Sequence, residues 1–174
     1  DQLWKMDVSS RKAVQVSDIA DGIAGFGIAP SGDRAYYLKR VQVEKRRSSD
    51  IYPDMGASKA RIYDDLMARH WNYWDEGGYM HIFVADLKDG RLTEGKDIME
   101  GEPWDAPMAP YFDGAEIAWN HAGTQLAYTC KKMTGTEYAV STDSDIYLYD
   151  VASAATRNIC KGDEEPLHEK PIRP

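Results

Sequence analysis

Apolar and polar positions alternate through much of this chain, and alternation at period two predicts β-strands. The clearest stretch is Asp145-Ile146-Tyr147-Leu148-Tyr149-Asp150-Val151. As a strand it places Ile146, Leu148 and Asp150 on one face and Tyr147, Tyr149 and Val151 on the other. Upstream, residues 115–130 (AEIAWNHAGTQLAYTC) read as two strands joined by a tight Ala122-Gly123 turn. A polar interval then leads to the Asp145 strand, and a fourth strand is expected at residues 156–160.

This unit recurs. Residues 28–37 (IAPSGDRAYY) lie over residues 119–128 (WNHAGTQLAY) without a gap. The third strand occurs three times, at residues 2–8 (QLWKMDV), 81–87 (HIFVADL) and 145–151 (DIYLYDV), each time ending in Asp followed by Val or Leu. A four-stranded antiparallel unit repeated every few tens of residues marks a β-propeller. The expected fold class is all-β, a fragment of a β-propeller built of four-stranded antiparallel blades with one helical insertion.

The repeats divide the chain. Residues 1–18 supply the outer half of a blade, 19–100 a full blade interrupted at about 44–78, and 101–162 a second full blade. Residues 163–174 form a charged, Pro-containing tail or linker to the next blade. In the first full blade the inner strands are 23–29 and 34–43, joined by Pro30-Ser31-Gly32-Asp33, four residues that each favour a turn. Its third and fourth strands are 81–87 and 92–98. Residues 101–113 connect the blades, and Trp104, Tyr111 and Phe112 are expected to fill space between sheets. The chain opens in mid-pattern, which reads as a piece of a longer protein whose leader would lie elsewhere.

The interruption changes period. Residues 57–74 (ASKARIYDDLMARHWNYW) place Tyr63, Leu66, Met67, His70 and Trp74 on one helical stripe, flanked by Arg61–Asp65 and Asp65–Arg69 at i,i+4. Gly77-Gly78 is the expected stop. Such a helix either packs its stripe on a neighbouring blade or projects toward a ligand, as long insertions on rigid scaffolds do. The two uses are compatible.

Charge and chemistry narrow the function. A net charge of −8 argues against a nucleic-acid partner, and Lys45-Arg46-Arg47 is a short solvated cluster. No apolar run approaches the ~20 residues of a membrane span. Cys130 and Cys160 end the second and fourth strands of one blade, about 9–10 Å apart across two strand spacings. That exceeds the ~7 Å reach of a disulfide, so two free thiols are expected. There is no Gly-x-Ser-x-Gly elbow, phosphate-binding loop, His-Glu-x-x-His or Cys-x-x-Cys. Asp143-Ser144-Asp145 lacks the ligand count of a calcium loop. His70, His81, His121 and His168 fall in separate elements. No cofactor, metal or catalytic residue is expected in this chain, which by itself is not a complete catalyst.

The WNHAGTQLAYTCKK…EYAVSTDSDIYLYD blade, the PSGD blade and the RIYDDLMARHWNYWDEG…HIFVADL segment resemble the N-terminal β-propeller of the prolyl oligopeptidase family of serine peptidases. The branch is that of the acylaminoacyl-peptidase and dipeptidyl peptidase 5-like enzymes, and the likeness covers residues 2–163. It implies that the propeller gates and positions short peptides for a C-terminal α/β-hydrolase domain absent from this chain. It also implies that acidic residues at the cavity hold the substrate's free amine, because a desolvated ammonium needs a carboxylate partner. Asp64, Asp65, Asp75 and Glu76 are the nearest acidic candidates, and Arg69, His70, Trp71 and Trp74 could line the cavity. Asp65 also has Arg61 and Arg69 as ion-pair partners, which would make it structural. The paired-Glu anchor of the dipeptidyl peptidase IV branch is not found.

The expected partners are a peptide substrate bound through the parent enzyme, the remaining blades and the hydrolase domain. The parent is expected to be periplasmic or secreted. The alternative is a TolB-like binding or scaffold propeller for protein–protein interaction, with no enzymatic domain. Isolated, the fragment exposes end-blade faces and strand edges and is expected to self-associate.

Overall fold

Strand formation follows the alternating runs, and the turns between them are set by residues with special backbone requirements. In the computed structural model, which describes residues 1–161, the last sheet is built from β10 (Ile117–Trp119), β11 (Gln125–Cys130), β12 (Asp145–Asp150) and β13 (Ala155–Asn158). They pair antiparallel in chain order, with Tyr128 opposite Tyr147 and Leu126 opposite Tyr149. The β10–β11 turn closes because the Asn120 side-chain oxygen accepts the N–H groups of Thr124 (2.8 Å) and Gln125 (3.1 Å) while Gly123 takes a φ of +67°.

The preceding sheet repeats the plan. β3 (Gly25–Ile28), β4 (Arg34–Gln42) and β7 (Gly78–Lys88) pair antiparallel in that order. The fourth strand is split into β8 (Arg91–Leu92) and β9 (Lys96–Asp97), both on β7. A single strand over 92–98 was expected, and the break has a cause. The Gly95 N–H donates to the Tyr37 hydroxyl at 3.1 Å, leaving the ladder. A Cβ at 95 would sit 2.7 Å from the Tyr37 ring. Before this sheet, β1 (Trp4–Met6) and β2 (Ala13–Gln15) form an antiparallel pair.

Among the described residues two cores hold the sheets together. Between the second and third sheets lie Tyr36, Leu38, Ile82 and Val84 on one side and Leu126, Tyr128, Tyr147 and Tyr149 on the other. The Tyr147 and Tyr149 face of β12 is thus the buried one, whereas Ile146 on the opposite face is exposed. Leu3, Val16, Ile19 and Ile23 pack on the other face of the second sheet, against Ala35, Tyr37 and Ala85. Of the connector aromatics, Trp104 and Phe112 pack against the inter-sheet core, but Tyr111 is 81% exposed.

The helix expected over residues 57–74 does not form. The insertion contains one helical turn, α1 (Ser48–Ile51), a 3-10 turn (Pro53–Met55), and a small hairpin of β5 (Arg69–His70) and β6 (Tyr73–Trp74). The i,i+4 pairs that favoured a helix are replaced by other partners. Arg61 pairs with Glu76, the Asp65 carboxylate accepts the Leu66 N–H, and Arg69 Nε donates to the Trp71 carbonyl. Short acidic side chains that bond nearby backbone compete with helix formation. A second helix, α2 (Gly135–Val140), occupies the interruption of the last sheet. Neither cysteine forms a disulfide, as expected: Cys130 is buried and Cys160 exposed. The tail at 163–174 and His168 lie outside the described residues.

A cleft where three connections meet

In a four-stranded antiparallel meander the second-to-third connection and the connector to the next sheet leave from the same end. The insertion at 44–77, the connector at 101–113 and the segment at 131–144 therefore emerge together. They enclose a cleft of about 400 Å³ lined by Met67 and His70 of the insertion, Asp105 and Met108 of the connector, and Lys131 and Tyr138 near α2.

Asp105 is placed by strand β7. Its Oδ1 accepts the Met80 N–H at 2.7 Å, and the next residue returns a bond from the Ala106 N–H to the Met80 carbonyl at 2.9 Å. Burial raises the Asp105 carboxyl above its ordinary range, partly offset by the Met80 N–H and the positive charge of Arg40 and His81. Among the described residues no cation is in ion-pair contact with it. In the same cleft Lys131 Nζ donates to the carbonyls of Tyr138 (2.6 Å) and Ser141 and lies 4.3 Å from the Tyr138 ring centre. Lysine at the C-terminal end of a helix meets unpaired carbonyls there, so Lys131 anchors the α2 wall.

The eight residues singled out from sequence divide clearly. His70 lines the cleft, stacked obliquely on Trp71 at 5.0 Å. Asp65 lies against α2, its carboxylate leaving no room for a Cβ at Gly135. Asp75 and Glu76 are occupied: Arg46 Nε meets Asp75 at 3.1 Å, and Arg47 and Arg61 both meet Glu76. The pairing holds the Glu76 carboxyl below its ordinary value, the Arg61 hydrogen bond being the largest cause. Trp74 stacks on Tyr63 at 6.1 Å and lies under Arg61 and Arg69 at 5.8 and 5.7 Å. Asp64 and Trp71 are exposed. Asp75 and Glu76 thus serve the insertion's own arginines.

Sequence reasoning missed Asp105, Met108, Lys131 and Tyr138. Trp104-Asp105-Ala106-Pro107 carries the only usable signal, a carboxylate set between apolar residues in a connector. Chemically the cleft offers a partly desolvated carboxylate beside thioether and aromatic walls, an arrangement suited to a small cation with apolar substituents.

No protein-family model matches the chain. Among curated proteins it is similar to dipeptidyl-peptidase 5 of Porphyromonas gingivalis, 43% identical over 141 residues (81% of this chain, 20% of that protein). It is likewise similar to dipeptidyl-peptidase 5 of Porphyromonas endodontalis, 38% identical over 148 residues (85% and 21%). Among solved structures it resembles an acylaminoacyl peptidase of Pyrococcus horikoshii with a TM-score of 0.52 and 17% identity, covering 91% of this chain and 21% of that one. The chain spans about a fifth of the length of the curated relatives it matches.

Proposed function

Since the chain belongs to the N-terminal, propeller-type domain of the prolyl oligopeptidase family, we propose that it is the non-catalytic part of a serine exopeptidase. It gates short peptides and positions them for an α/β-hydrolase domain elsewhere in the parent. The remaining propeller blades and that domain are its partners, and the parent works in the periplasm or outside the cell. No helix among the described residues is long and apolar enough to cross a membrane.

One observation carries the reading: Asp105 presents a half-buried carboxylate, without an ion-pair partner among the described residues, to a cleft walled by Met67, Met108 and Tyr138. A peptide's N-terminal ammonium would relieve the cost of burying that carboxylate, and an apolar side chain would lie on the thioethers. The relatives carry the name dipeptidyl-peptidase, and releasing dipeptides requires the free N-terminus to be recognised. Of the insertion's carboxylates, Asp75 and Glu76 are engaged by Arg46, Arg47 and Arg61 and Asp64 and Asp65 are exposed, whereas Asp105 stands in the cleft wall and takes the anchoring role. Chromogenic dipeptides with free and with acetylated N-termini, offered to the full-length protein, test this. Preferred cleavage of the free form, stopped by a serine-directed inhibitor, supports the reading. Preference for the acetylated form overturns it in favour of acylaminoacyl release, and no cleavage of either favours a scaffold role.

A further inference from the structure

His81 sits in the middle of the second sheet with no solvent exposure. Its Nδ1 lies 2.8 Å from Asp97 Oδ2 and its Nε2 lies 2.9 Å from the Glu102 carbonyl. A carbonyl oxygen only accepts, so Nε2 donates. The other Asp97 oxygen, Oδ1, accepts the Met99 N–H at 2.9 Å, which favours the ionised carboxylate, so Nδ1 donates as well. Two donating nitrogens make the ring an imidazolium.

The two contacts bracket the start of the connector. His81 holds residues 97 and 102, and its chain neighbour Met80 holds residues 105 and 106. We infer that His81 is a positioning residue for the cleft: doubly protonated, it clamps the connector carrying Asp105, and loss of that proton frees the connector at alkaline pH. A neutral ring would turn a lone pair toward either the Asp97 carboxylate or the Glu102 carbonyl, so no tautomer keeps both contacts. This deepens the proposed role of the cleft and rests on it only where substrate is concerned.

The charged groups around the ring agree. Asp97 on β9 is the direct partner. Glu102 pairs with Lys132 of the segment that follows β11 at 2.6 Å, and Asp105 lies further along the connector near Arg40 of β4. Lys39, opposite His81 on β4, is 3.6 Å from Asp21. Burial alone would favour the neutral ring, but the Asp97 hydrogen bond and charge together with the Glu102 carbonyl raise the group above its ordinary 6.5. The sign follows: the clamp contributes fully below 6.5 and is lost as pH rises through the raised native value.

Hydrogen exchange by mass spectrometry on the full-length protein provides the test. Above pH 6.5, exchange in residues 97–106, corrected for its intrinsic pH dependence, is expected to speed up by as much as about tenfold per pH unit relative to β11–β12. Asp97→Asn, which removes the charge that favours the imidazolium, makes that rise end at lower pH and so shrinks it. His81→Gln abolishes it. Equal pH response of 97–106 and β11–β12 overturns the clamp whatever the kinetics do. In parallel, KM for a free-amine dipeptide is expected to rise in the same window, with that of its acetylated counterpart unchanged. Faster exchange without that KM rise keeps the clamp but removes Asp105 as the amine's partner.

Discussion

The indole N–H of Trp119 donates to the Gly27 carbonyl at 3.3 Å, joining the first strand of one repeat to the first strand of the other. The turns that follow these strands touch as well. Arg34 reaches the Gly123 carbonyl at 3.3 Å, and Ser31 and Ala29 close over Gly123 itself. The inner strands of the two sheets are therefore held by the residues that also define the repeat.

Gly123 is the most exacting position in that contact. A side chain there would need a φ of +67° and would place its Cβ 3.2 Å from the Ala29 Cβ and against the Ser31 hydroxyl. Gly123→Ala is expected to cost about 1–2 kcal/mol from the left-handed backbone alone, read as a lower urea midpoint. An unchanged midpoint would mean that the turn shifts freely.

Lys132 is a cation enclosed by protein. Its side chain is 8% exposed, 2.6 Å from Glu102 Oε1, and lies 4.5 and 5.4 Å from the ring centres of Tyr147 and Trp104. Lys132→Met leaves the Glu102 carboxylate without its cation and is expected to cost about 2–3 kcal/mol, moderated because Glu102 keeps some solvent. Adding Glu102→Gln should recover most of the loss. A double variant as unstable as the single one would show that the pair is not the source.

The two thiols should separate by reactivity. Burial pushes the Cys130 thiol up to about 12, and the residue is fully enclosed, whereas Cys160 is exposed. A thiol reagent at pH 8 is expected to label one cysteine in the folded protein and both in denaturant. Labelling of Cys130 without denaturant would place the inter-sheet core in exchange with solvent.

What was legible in the sequence, and what was not, has a physical basis. The Tyr147/Tyr149 and Leu126/Tyr128 alternation identified strands because one face must be buried for the pattern to be useful, and that face is the inter-sheet core. The Tyr63/Leu66/Met67/His70/Trp74 spacing fitted a helix equally well on paper. In the folded chain Leu66 and Trp74 stay 53% and 48% exposed, so no core rewards a helical stripe there. Guanidinium–carboxylate and ring contacts between Arg61, Tyr63, Trp74 and Glu76 set the shape instead. Among the cleft residues His70 stands out in the sequence and Asp105 does not. The Asp105 environment comes from Met80, 25 positions away, and from the meeting of three connections. No local pattern encodes such a meeting.

The first hairpin bears on assembly. Trp4 and Met6 share one face of β1 and are 57% and 59% exposed. Expressed by itself, the 174-residue chain is expected to self-associate through such surface. Light scattering should show an apparent mass that rises with concentration. A constant monomer mass across the series would contradict it.

Whether Asp105 receives the substrate's ammonium is decided by Asp105→Asn in the full-length protein. The substitution keeps an acceptor for the Met80 N–H and removes the charge. KM for free-amine dipeptides is expected to rise by roughly tenfold or more, the scale of a lost charge-assisted hydrogen bond, with N-acetylated substrates unaffected. Equal KM values for wild type and Asp105→Asn on the free-amine substrate would contradict it.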